Sequence, residues 1–179
     1  MKFYLFIISI ICICNIGLGQ NKVEKGLSRA EQFYSTKGIL IEKEFHNVGA
    51  VKEIDIQIIK LKNLKEKDSL SYVRLIFGYQ TDFKLKDKPG IIDSDELAGI
   101  IESMAYICKN ILPSKRDNVT EVTFKTRTGI ETGAYFEKAT LKWVCFIKLI
   151  ESDRNSQVLL SSEDFFLLLT YLRKCKEII

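Results

Sequence analysis

The sequence predicts an α+β fold: an antiparallel β-sheet packed against two helices, built from a strands-then-helix unit that occurs twice, with a short helix on the N-terminal side. Three observations lead there. Residues 91–111 and 159–179 carry matching apolar stripes at helical spacing. Runs rich in branched and aromatic residues stand upstream of each stripe. The 179 residues are 46% hydrophobic and 28% charged, with 10 Gly and 2 Pro, a globular composition that leaves no room for a collagen-like or disordered design. The 27 basic and 23 acidic side chains give a net charge of +4, too weak to demand an anionic partner.

In chain order, Lys2 and the apolar run from Phe3 to Cys14 form the charged and hydrophobic regions of a secretory signal peptide over 1–19. Gly17 and Gly19 supply the small residues for cleavage before Gln20. The run is shorter than a spanning helix needs. Cys12 and Cys14 each follow Ile, where lipoprotein signals place Gly, Ala or Ser, which argues against lipidation. The leader resembles those of small exported proteins of Gram-negative bacteria. No second long apolar run follows, so the product is expected to be periplasmic or secreted and not held in the membrane after cleavage. Residues 20–179 then read as one α+β domain, its halves at about 37–112 and 119–179.

Within 23–34, Val23, Leu27, Ala30 and Phe33 have helical spacing. Strands are expected at 38–45, 51–61 and 71–79, with a short one at 90–92, and again at 119–128, 132–136 and 140–150, with a short one at 157–160. Ile54, Ile56 and Ile58 alternate with Asp55 and Gln57, and Val122 and Phe124 with Thr123 and Lys125, the pattern of strands with one wet face. The third strand of each half is apolar on both faces. Val73, Leu75 and Phe77 back onto Tyr72 and Ile76, and Trp143, Cys145, Ile147 and Leu149 back onto Val144, Phe146 and Ile150.

The two helices align at an offset of 68, pairing Leu97, Ile100, Ile101, Met104, Ile107 and Ile111 with Phe165, Leu168, Leu169, Leu172, Cys175 and Ile179. Asp93 with Glu96, and Ser161 with Asp164, have the spacing of a capping box. Lys109, Arg173, Lys174 and Lys176 suit the negative helix ends. Pro113 stops the first helix near Asn110 or Ile111. Two helices cover one sheet face. The other needs the 23–34 segment or a partner, so Tyr72, Ile76, Val144 and Phe146 are the candidate binding face.

Little catalytic chemistry is legible. His46 is the only histidine; with no CxxC or HExxH, no metal or cofactor is expected. Removing the leader leaves Cys108, Cys145 and Cys175, an odd number in apolar surroundings, which reads as buried thiols; a disulfide between two of them stays open. Cys145 with His46 would be a thiol nucleophile, but no thiol-protease signature surrounds it. Asp93, Asp95 and Glu96 offer acid–base or Ca²⁺ chemistry, although their place at a helix start is explained by capping. TGIETG, residues 128–133, lies between strands and reads as a hairpin turn, not a phosphate loop. Asn118 and Thr120 form a glycosylation sequon without meaning in a bacterial export route.

Lys60, Lys62, Lys65 and Lys67, and then Lys84, Lys86 and Lys88, fall in expected loops, with Phe83, Phe124, Tyr135 and Phe136 available for base stacking. The repeated strands-then-helix order resembles the Whirly fold of single-stranded-DNA-binding proteins, in topology only and across residues 20–179. The resemblance implies single-stranded nucleic acid as an alternative partner, while Glu66, Asp68, Asp82 and Asp87 interrupt the basic stretches. The function expected is therefore that of an exported, non-catalytic binding or assembly module meeting a protein, a second copy or a small apolar ligand through a sheet face. A hydrolase-like enzyme using acids or a thiol is the other alternative.

Overall fold

The computed structural model describes the backbone of residues 26–81 and 84–179, and the side chains of 26–77 and 89–179. The expected leader, its cleavage point before Gln20, and Val23 and Phe83 lie outside the described residues. Helix α1 (Arg29–Ser35) is followed by strands β1 (Ile41–Val51), β2 (Ile54–Asn63), β3 (Ser69–Thr81) and β4 (Lys84–Asp93). Helix α2 (Leu97–Tyr106) runs into a π-helical turn, Ile107–Ile111. Strands β5 (Thr120–Lys125), β6 (Glu131–Glu137), β7 (Lys142–Lys148) and β8 (Gln157–Leu160) then lead to helix α3 (Ser162–Ile178).

The fold is α+β, and its strands form two antiparallel sheets, β1-β2-β3-β4 and β5-β6-β7-β8, where one common layer was expected. Each strand pairs with its sequence neighbour, so each set of hairpins satisfies its backbone locally. The connection from β4 to β5 runs through α2 instead of across a sheet edge. β4 is longer than the expected 90–92 because its pairing with β3 extends back to Lys84, through a polar stretch that does not read as a strand. β1 extends to Val51, past the expected end at Phe45, through a bulge between Asn47 and Gly49 that returns Gly49 and Val51 to the core-facing side.

Both sheets and both long helices feed a single core cluster. Ile54, Ile56, Val73 and Ile92 of the first sheet meet Ala134, Cys145, Ile147 and Leu160 of the second, with Leu97, Ile100 and Met104 of α2 and Phe165, Leu168 and Leu172 of α3 between them. The helical stripes are buried as their spacing requires, apart from Ile179 at the chain end. Each stripe contributes on the order of 10 kcal/mol of gross apolar burial. α3 lies on β1 as well as on β7 and β8, so the last helix packs against the first strand. Gly49 makes room for it: a Cβ there would stand 2.4 Å from the Tyr171 ring.

β2 explains the second, smaller cluster. Its Ile54, Ile56 and Ile58 face the main core, whereas Ile59 and Leu61 point to the opposite face, where α1 sets Ala30, Phe33 and Tyr34 over them and over Tyr72. α1 starts at a full capping box: the Ser28 hydroxyl accepts from the Glu31 N–H at 2.9 Å, and the Glu31 carboxylate accepts from the Ser28 N–H at 2.7 Å. Leu27, expected on the apolar stripe, precedes the helix and is exposed. α3 has the expected box, Ser161 with Asp164. The helical run from α2 ends at Ile111, where Pro113 removes the next helical donor; the Leu112 N–H closes a wide turn on the Ile107 carbonyl at 3.0 Å.

Candidate functional site

The acids at the end of β4 are drawn together by a residue far away in sequence. The β5–β6 hairpin turns through Thr126 and Ile130, and Gly129 takes a positive φ of 88° there, as the hairpin reading of TGIETG anticipates. The turn delivers Arg127 to the β4–α2 corner. Its Nη1 lies 3.0 Å from Asp93 Oδ2, its Nη2 lies 2.8 Å from Asp95 Oδ2, and its backbone N–H donates to Glu96 Oε1 at 2.6 Å. Asp93 is fully buried, and its carboxylate also accepts from the N–H groups of Arg29 at 2.7 Å and Ala30 at 3.3 Å, the first donors of α1.

The capping box expected from Asp93 and Glu96 is therefore absent. α2 begins at Leu97 with no side-chain cap, and Asp93 contributes only its carbonyl, which accepts from the Glu96 N–H at 3.0 Å. A buried carboxylate gains more from a guanidinium and two free helix donors than from one further N–H of its own helix. Asp95 is partly desolvated, which acts to raise its pKa, but the bond and charge of Arg127 and the charge of Arg29 outweigh that and hold it below the ordinary carboxylate range. A carboxylate held ionised on arginine is a weak proton acceptor, which leaves Asp95 to structural work, and the bonds of the corner clamp β4, α1 and the β5–β6 hairpin together.

The thiols are equally committed. Cys145 is 1% exposed between Ala134 and Leu160 on the core side of β7; burial first, and the nearness of Cys108 second, push its pKa up to about 12. Burial pushes Cys175, on the core side of α3, up to about 11. All three cysteines are free thiols, and Cys108 is only partly buried. A neutral thiol closed inside a core has neither the thiolate nor the access that nucleophilic attack requires. His46 stands on β1 opposite Ile58, with its Nε2 3.0 Å from Glu44 Oε1. Among the described residues no group of three or more His, Cys, Asp or Glu side chains is arranged to hold a metal ion.

The four residues of the candidate face lie on two different sheets. Tyr72 is buried beneath α1, its hydroxyl bonded to that of Tyr34, and burial raises its pKa. Ile76 is half-buried farther along the same face, beside the row in which Gln57 bridges Asn47 and Arg74 and Arg74 stacks on the exposed Phe45. Val144 and Phe146 lie on the face of the second sheet turned away from α2 and α3, together with Tyr135 and Leu159. Phe146 is itself buried, at 4% exposure, and packs against Tyr135 with ring centroids 6.3 Å apart outside either core cluster, while Leu159 is 48% exposed.

The basic residues fall on several elements. Lys60 and Lys62 sit on β2 directly across from Glu44 and Glu42 of β1, Lys65 and Lys67 follow in the β2–β3 turn, and Lys84, Lys86 and Lys88 belong to β4 instead of a loop. Of the aromatic residues available for stacking, Phe136 is buried and Phe124 packs on the core cluster. Among the described residues no helix is long and apolar enough to cross a membrane. Sequence reading missed Arg127 altogether, since its partners are 31 to 34 positions away and only hairpin geometry unites them. No family model matches the chain, and no curated protein or solved structure matches it.

Proposed function

We propose that the protein is an exported, non-catalytic binding or assembly module that meets a protein surface, a second copy or another chain, through the outer face of its second sheet. One observation carries the reading: Tyr135, Val144 and Leu159 leave apolar surface around Phe146, on a face to which neither long helix contributes core contacts. The engagement of Asp93, Asp95 and Glu96 with Arg127, and the enclosure of Cys145, favour binding over hydrolysis. An open antiparallel sheet face suits an extended protein contact better than a small ligand, which concave sites enclose.

Light scattering across a concentration series, on the chain and on its Val144→Lys variant, tests the reading. A mass above the monomer that Val144→Lys returns to the monomer supports self-assembly. Photo-crosslinking from position 159 to another chain supports a hetero-partner. A monomer that captures no crosslinked protein and binds no apolar dye contradicts both. Export predicts a mature N-terminus at Gln20, read by N-terminal sequencing of the fractionated protein.

A further inference from the structure

Among the described residues the second sheet ends in β5, which pairs with β6 alone, so alternate N–H and C=O groups along Thr120–Lys125 point away from the sheet. Beside β5 lies a cavity of about 320 Å³, bounded by Glu102, Ser103, Tyr106 and Ile107 on the helical side and by Val122, Thr123 and Phe124 on the strand. Successive strand side chains point to opposite faces. Three consecutive strand residues line one cavity only where it follows the strand's edge. Val122 and Phe124 are each half-buried: one side packs on the core cluster and the other is left to this groove. Tyr106, on the opposite wall, is 59% exposed.

The rim is acidic. Glu102 is exposed, and the exposed Glu121 accepts a hydrogen bond from the groove-lining Thr123 hydroxyl at 2.8 Å. Neither carboxylate is in an ion pair among the described residues. Lys125, at the end of the strand, is held by Glu131 and Glu151, and Lys109 stands beyond the lining residues on the helical side.

We propose that this groove takes an extended peptide segment of a partner protein, added as a fifth strand to β5. An apolar side chain enters between Tyr106 and Phe124, and lysine or arginine side chains flank it beside Glu102 and Glu121. The free backbone edge supplies hydrogen bonds, the groove selects the apolar side chain, and the acids select the basic flanks. This surface meets the outer sheet face at its rim, where Glu121 stands opposite Tyr135, but its strand edge and apolar wall belong to β5 and α2.

The test is an NMR titration of the ¹⁵N-labelled chain with an eight-residue peptide alternating lysine with valine and phenylalanine, and with its counterpart carrying glutamate for lysine. The basic peptide should shift the amides of Thr120–Lys125 and Leu97–Tyr106. Its affinity should fall about tenfold in the Glu102→Lys/Glu121→Lys variant, where like charges face each other. Ser103→Trp, which fills the groove from the helix, should abolish binding while leaving the amide spectrum that of a folded chain, and Val144→Lys should leave binding intact. Equal affinity for the two peptides, shifts confined to other strands, indifference to Ser103→Trp, or pairing of β5 with a second copy of the chain in preference to the peptide would each overturn the proposal.

Discussion

Single residues in this protein are committed to structure by partners the sequence does not announce. Asp93 holds two helix donors and a guanidinium from a fully buried position, so Asp93→Ala should cost on the order of 3 kcal/mol in urea denaturation. Asp95→Ala, at a half-exposed site, should cost less than about 1 kcal/mol. The reading of Asp93 and Glu96 as a capping box failed because the motif is defined by spacing, and the same spacing arises when a carboxylate is turned toward residues 34 positions ahead and 64 behind. Ser161 and Asp164 were legible because every partner of that box is local.

Asp164 and Asp95 also set a pH dependence. Asp164 is lowered first by its bond from the Ser161 side chain, with Lys52 adding to the effect, and Asp95 by Arg127 against its own desolvation. A carboxyl depressed in the folded state stabilises the protein above its unfolded pKa, about 3.9, and that contribution fades as pH falls through the folded value. Thermal unfolding should therefore lose stability in the acid range below about pH 4, and Asp164→Asn should make that loss shallower. Peptide-level mass spectrometry after alkylation at pH 8 should find Cys145 and Cys175 unmodified in the folded chain and modified once it is unfolded.

At the scale of elements, the helices were legible and the sheets only partly so. An apolar stripe of period 3.6 marks a helix whatever it packs against, and α2 and α3 bury theirs as read. Strand ends depend on backbone pairing, which is why β1 runs past Phe45 through its bulge to Val51 and β4 begins at Lys84. The placement of α3 on β1 was hidden, because it rests on the absence of a side chain at Gly49. Gly49→Ala should destabilise the fold, since a Cβ there displaces the Tyr171 ring that α3 sets against β1. Adding Tyr171→Ala should recover part of the loss, a coupling that a double-mutant cycle measures. Loss of the α3 cap in Ser161→Ala should cost about 1 kcal/mol.

For the whole molecule, the two sheets are joined by a common interior and by ties that cross between the halves. Arg127 reaches back to Asp93 and Asp95. Lys52 donates to the Leu159 carbonyl at 2.8 Å and lies 3.7 Å from Asp164, and the Thr128 hydroxyl donates to the Ile91 carbonyl at 2.8 Å. The four residues read as one face divide between the two sheets for the same reason. Tyr72 and Phe146 look alike along their strands, but α1 covers the first and lies on the other sheet from the second, a difference set by tertiary placement and not by local pattern. The two proposed contact surfaces are the outer face around Val144 and the groove along β5.

The central claim is that both sheets stand or fall with one core threaded by α3. Native-state hydrogen exchange of the chain and its Leu168→Ala variant tests it most directly, read at the slowest amides of β2 in the first sheet and β7 in the second. A shared core predicts that the substitution lowers the opening free energy of both strands equally, by about 3 kcal/mol. A loss confined to β7, with β2 unchanged, would contradict it.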